Sequence, residues 1–243
     1  MNHIYLKRAL LTVLSVFTSF LMNAQKTNIY LIPGMGTDSR VFDDFTFNED
    51  LYHTIPVQWT DYHDCSGLRE YAQKLATQID TTKPFILLGV SMGGMLAMEM
   101  SQIVNPDKII LISSAKSQKE IPFKYKVGRV LPLYGLVNDK ILYSIADKKS
   151  TYKDIHDTTD RVLYKKMLLN CGADFLKWQM KSICQWKFES NNLPPIFHIH
   201  GDKDNILPIR KVDYDVLIED GTHKMVINYP KKLIDIIQNH MNQ

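Results

Sequence analysis

Gly89-Val90-Ser91-Met92-Gly93 puts a serine between two glycines in G-x-S-x-G spacing, after the apolar run Phe85 to Val90 and before the helical stretch Met92 to Val104. A strand that passes into a helix without a spacer makes a sharp corner, which strains the serine's backbone and projects its hydroxyl from the strand end. Only small residues avoid collision beside such a corner, which is the supporting role read for Gly89 and Gly93. Ser91 is therefore the candidate nucleophile. The alternative, a glycine-rich phosphate cradle, lacks both G-x-x-x-x-G-K-[ST] and G-x-G-x-x-G, so no nucleotide cofactor is expected.

A serine hydroxyl is a poor nucleophile near neutral pH and needs a histidine to take its proton and an acid to orient that histidine. On this kind of corner the chain order is serine, acid, histidine. His223 closes Asp220-Gly221-Thr222-His223, a glycine-containing turn after the last apolar run, and is the candidate general base. The loop after the preceding run, His200 to Pro208, offers Asp202 and Asp204 as the acid. His198-x-His200-x-Asp202-x-Asp204 also has metal-ligand residue types on alternate positions of a strand. A hydrolytic metal site needs further ligands, and with no second cluster in the sequence the two histidines are read as structural and no metal is expected.

The elements that must position these groups follow from apolar spacing. Asn28 to Ile32, His53 to Trp59, Phe85 to Val90, Lys108 to Ile112, Ile196 to His200 and Val212 to Ile218 read as strands. Leu68, Tyr71, Ala72, Leu75, Ala76 and Ile79 recur at helical spacing and predict an amphipathic helix over 66–80. Ser39 to Phe45 reads as a short helix, Asn105-Pro106 stops the helix after Ser91, and Pro230 to Met241 closes the chain with proline in its first turn. Strands alternating with helices predict a parallel α/β sheet whose carboxyl edge carries all three candidate loops. The alternation breaks at 116–187, where Val162 to Leu169 and Phe175 to Trp186 read as helices, so this stretch is expected to be a helical insertion capping that edge. Ser113 and Ser114 are expected to line the site.

The 243 residues have ordinary globular composition and a net charge of +3, too small a basic excess for a nucleic-acid partner. Residues 116–187 hold 15 Lys and Arg against 7 Asp and Glu, while the rest of 25–243 holds 12 against 19, so a basic insertion sits on an acidic body. Lys7 and Arg8, the uncharged run Ala9 to Met22 and Asn23-Ala24-Gln25 have the three-part layout of a secretory signal peptide. Residues 1–24 are expected to be removed, leaving 25–243 as an exported chain, periplasmic or secreted, since an uncharged, mostly apolar run of 14 falls short of a membrane span; a retained signal-anchor is the alternative. Cys65, Cys171 and Cys184 are odd in number and are read as buried thiols; Cys171 and Cys184 could pair only if the helical stretch between them breaks.

These features together resemble the α/β-hydrolase superfamily over essentially all of 26–243: the loop Pro33-Gly34-Met35-Gly36 after the first strand, the corner at Ser91, the helical insertion, G-x-x-D-x-x-x-P at Gly201 to Pro208 and G-x-H at Gly221 to His223. The resemblance implies a mostly parallel sheet of about six strands with helices on both faces. It also puts the acid on Asp204, with Asp202 the alternative, and the oxyanion hole on the amides of Met92 and Met35, with Gly34 supporting the latter. Proline stands where many members have histidine before Gly34, and the family's first two strands have no counterpart here. The implied function is a cofactor-free serine hydrolase acting on a small-molecule ester, thioester or related acyl compound, with an acyltransferase on the same triad or a non-catalytic binding protein as alternatives. Phe123, Tyr125, Leu131, Leu133, Tyr134, Tyr143, Phe175, Trp178 and Trp186 are the candidate pocket surface in the insertion.

Overall fold

In the computed structural model, residues 26–190 and 192–242 are described; residues 1–24, read as a leader, lie outside them. Six strands, β1 (Thr27–Ile32), β2 (Tyr52–Pro56), β3 (Phe85–Val90), β4 (Lys108–Ile112), β5 (Ile196–Gly201) and β6 (Val216–Ile218), form one sheet in the order β2-β1-β3-β4-β5-β6. Every pairing is parallel. Period-two alternation divides the strand side chains between two cores. Tyr30, Ile32, Leu87, Ile109 and Leu111 face one, and Ile29, Leu31, Ile86, Leu88, Ile110 and Ile112 face the other.

Helix α1 (Leu68–Ala76) buries Leu68, Tyr71, Ala72, Leu75 and Ala76 as its spacing predicts. It ends earlier than expected because Thr77, Gln78 and Ile79 donate to carbonyls three residues back, tightening the last turn. Helix α2 (Met92–Val104) packs between α1 and the sheet and stops at Asn105, whose left-handed backbone (φ 49°) precedes Pro106. The Ser39 to Phe45 stretch is a single 3-10 turn over Ser39–Phe42.

Between β4 and β5 lie α3 (Phe123–Val127), α4 (Asp139–Asp147), α5 (Thr158–Cys171) and α6 (Ala173–Gln185), and among the described residues no strand. Val137, Leu142, Ala146, Leu168, Ala173 and Leu176 give this segment an apolar cluster of its own. The chain breaks between α5 and α6 at Gly172 (φ 75°), which separates Cys171 from Cys184, and all three cysteines are free thiols. Burial pushes the Cys171 thiol up to about 12, the behaviour of an inert structural cysteine.

The last strand is shorter than Val212 to Ile218 would give. A 3-10 turn at Ile209–Lys211 precedes it, the Asp215 carboxylate accepts the His198 amide at 2.7 Å, and β6 runs from Val216. Then come α7 (Met225–Asn228) and α8 (Pro230–Met241), the latter with proline in its first turn and Leu233, Ile234 and Ile237 buried on the second core. No helix among the described residues is long and apolar enough to cross a membrane.

Candidate active site

Ser91 sits at the junction of β3 and α2 with φ 53° and ψ −119°, a region that costs a residue with a side chain about 1–3 kcal/mol. Four hydrogen bonds hold it there. Its amide donates to Ile112 O at 3.0 Å, and its carbonyl accepts from Gly94 N (3.0 Å), Met95 N (3.3 Å) and the Ser114 hydroxyl (2.7 Å). A Cβ on Gly93 would lie 2.1 Å from Ile32 O, and one on Gly89 2.4 Å from Gly93 O, so the corner closes only around glycine. Ser113 and Ser114 do not line the site as expected; both are fully buried behind the corner, because the Ser114 hydroxyl is turned onto the Ser91 carbonyl.

The loops after β5 and β6 touch through their backbones: a Cβ on Gly201 would lie 2.0 Å from Gly221 O. That approach brings the acid and the histidine together. Asp204 Oδ2 is 2.7 Å from His223 Nδ1, and His223 Nε2 is 2.9 Å from Ser91 Oγ. The other Asp204 oxygen accepts the amides of Ile206 and Leu207, each at 2.8 Å. Burial pushes the Asp204 carboxyl up, but the adjacent His223, the Leu207 amide and His200 outweigh it, leaving its pKa below the ordinary aspartate value. Because a carboxylate only accepts, Nδ1 of His223 carries the proton and Nε2 turns its lone pair to the serine. Asp202 is not brought to the histidine: its Oδ1 is buried without a partner among the described residues, and its Oδ2 lies 3.8 Å from Lys203 Nζ.

The loop Pro33 to Gly36 runs beside the corner, with a Gly34 Cβ position 3.4 Å from Ser91 Cβ. Thr37 folds it back with amide and hydroxyl bonds to Gly34 O (3.3 and 2.9 Å), and Trp59 Nε1 holds Thr37 O at 2.7 Å. From α6, the fully buried Gln179 accepts the Gly36 amide at 3.1 Å. The amides of Met35 and Met92, the two expected oxyanion donors, have no hydrogen-bond partner among the described residues. Gln179 and Trp59 were not legible as site residues. A lone polar position among Leu176, Met180 and Ile183 on one helix is the only trace the sequence carries of Gln179.

His198 and His200 are fully buried and spend their ring nitrogens on the protein: His198 Nδ1 on Asp213 O (3.0 Å), His198 Nε2 on the Ser114 amide (3.4 Å) and His200 Nε2 on Leu207 O (2.8 Å). Burial, His200 and Lys116 depress His198 to about 3, and burial also lowers His200. The unfolded chain takes up a proton at His198 below its ordinary value of about 6.5, whereas the folded protein does so only near 3. Stability is thus fully present above pH 6.5 and falls as the pH drops toward 3. Chemical denaturation at pH 4.5 against pH 7 is expected to read a lower stability, with about 2–3 kcal/mol of the loss contributed by this group. A His198 ring that titrates near 6.5 in the folded protein, read by NMR, would overturn this assignment.

A cavity of about 470 Å³ opens onto Ser91 and His223, walled mainly by apolar side chains including Met35, Met95, Leu168, Leu176, Met180 and Ile183. Its size suits a small ligand. Of the aromatic and apolar residues expected to surround it, Tyr125 does. Phe175 instead stacks on Tyr62, Trp178 meets Tyr71 edge-on, and Trp186 donates to the buried Glu99 at 2.9 Å, packing the helical segment onto the body. Phe123, Leu131, Leu133 and Tyr143 face outward.

No protein-family model and no curated protein sequence matches the chain. Solved structures do. MenH from S. aureus is similar at 15% identity and a TM-score of 0.66, over 90% of this chain and 95% of that one. A hydrolase from Pseudomonas aeruginosa PA01 is similar at 11% and 0.67, over 91% and 92%. A thermophilic esterase from Thermogutta terrifontis is similar at 16% and 0.65, over 90% and 91%. At such identities the likeness is one of fold, and with the parallel six-stranded sheet it defines the class: the chain has the α/β-hydrolase fold.

Proposed function

We propose that the protein is a serine hydrolase that cleaves an ester, thioester or related acyl bond of a small molecule through an acyl-enzyme. The observation that carries this reading is the continuous hydrogen-bond chain from Asp204 through His223 to Ser91, ending in an apolar cavity. Ser91 Oγ attacks the acyl carbon while its proton passes to His223 Nε2, and Asp204 stabilises the imidazolium that forms. The unpartnered amides of Met35 and Met92 receive the developing oxyanion, each worth about 2.7–4 kcal/mol by the usual cost of losing such a donor. His223 then protonates the leaving group and activates the water that releases the acid. None of these steps calls for a cofactor. The signal-like residues 1–24 fit an exported enzyme.

Hydrolysis of a chromogenic acyl-ester series by the purified protein, with Ser91→Ala alongside, tests the reading. Serine-dependent turnover with a chain-length optimum supports it. A folded protein that hydrolyses no ester and resists a serine-directed phosphonate overturns it in favour of a binding role. Gln179 acts through the Gly36 amide and is a positioning residue. Gln179→Leu is expected to lower kcat by about 10-fold with a smaller change in KM, because a displaced oxyanion donor weakens the transition state more than substrate binding.

A further inference from the structure

Lys224, the residue after His223, lines the same cavity as Ser91. Its ammonium donates to Thr151 O and stands 5.2 Å from the centre of the Tyr164 ring, and both of those residues also line the cavity. Among the described residues no carboxylate forms an ion pair with it; Asp154 acts on it only at longer range. Burial lowers its pKa from the ordinary lysine value; Asp154 opposes this shift and Lys153 adds to it. Lys153 and Asp154 complete the charged part of the lining, which leaves the cavity wall with a net positive charge.

A cation beside an apolar wall is costly unless an anion joins it, and Lys224 has ammonium protons beyond the one given to Thr151. We propose that Lys224 is a specificity residue that selects acyl substrates carrying a carboxylate or comparable anionic group. The apolar wall takes the hydrocarbon portion, and the ammonium binds the anion by a charge-assisted hydrogen bond. This rests on the hydrolase reading for its kinetic test, although the binding preference stands by itself. The rival role for Lys224 is a purely structural clamp that ties the 151–154 loop to the histidine loop, and the two roles predict different results.

The test pairs esters that differ by one charge. On the acyl side, the 4-nitrophenyl monoester of glutaric acid is compared with 4-nitrophenyl pentanoate. On the alcohol side, the butyrate ester of 4-hydroxybenzoic acid is compared with phenyl butyrate. The wild type is expected to favour the anionic member of one pair, and which pair responds tells whether the anion belongs to the acid or to the leaving group. Lys224→Met should lower kcat/KM on that anionic ester by about 10- to 100-fold more than on its neutral match, the usual effect of a hydrogen bond to a charged group. Lys224→Arg should keep the preference and Lys224→Glu reverse it. Equal losses on both members, or no preference for the anion in either pair, overturn the proposal. The same pairs made as non-hydrolysable amides and titrated by NMR read the preference without turnover. Inactivity on every ester would then defeat the hydrolase reading while leaving the anion site judged by binding.

Discussion

Ser91→Ala is expected to reduce ester turnover by about 10⁶-fold, the scale seen when the nucleophile of such a triad is removed. Alanine also carries a Cβ, so the positive φ of 53° is no more strained than with serine, and the bonds that hold the corner use the backbone of residue 91 and the hydroxyl of Ser114. The variant should therefore melt close to the wild type. Residual activity above the uncatalysed rate would reflect the Met35 and Met92 amides and the cavity, which the substitution leaves in place. Measured turnover, phosphonate labelling and a melting curve together decide the matter. Undiminished activity in a folded variant would remove Ser91 from the reaction.

Asp204→Asn should cost about 10⁴-fold in kcat, for a reason of proton position rather than charge alone. The carboxylate accepts two amides on one oxygen and the His223 Nδ1 proton on the other. An asparagine that keeps its carbonyl on the Ile206 and Leu207 amides must present its NH₂ to Nδ1, which then has to accept. The imidazole proton moves to Nε2 and faces Ser91, where a lone pair is needed. Asp202→Asn is the discriminating control, because Asp202 has no hydrogen bond to His223 and its substitution should leave kcat within about threefold of wild type, as expected of groups outside the reacting unit. A large loss from Asp202→Asn with little from Asp204→Asn would exchange their roles.

What each level of description supplied differs by the range of the forces involved. Local patterns gave the parallel sheet, α1, α2 and the closing helix, because apolar spacing and the residues at the corner are properties of short windows. The same windows marked Ser91 and His223, since both lie where an apolar run ends. They gave the ends of elements less well: β6 begins at Val216, next to the Asp215 side chain that accepts the His198 amide of β5, an interaction spanning 17 residues.

The choice of Asp204 over Asp202 illustrates the limit for the site. Two aspartates one residue apart have the same composition and nearly the same local context. What separates them is the packing of Gly201 on Gly221, which fixes the loop so that one carboxylate meets His223 and the other turns away. Gln179 reaches the Gly36 amide across 143 residues, and the aromatic residues expected in the pocket are drawn into packing against Tyr62 and Tyr71. By itself the sequence determined the order and type of the elements, the corner serine and the histidine after the last strand, because these depend on residue types a few positions apart. Only the tertiary structure decided which aspartate meets His223, what holds the Pro33–Gly36 loop, the walls of the cavity and the place of Lys224 in them, because each depends on which distant surfaces meet when the two cores are buried.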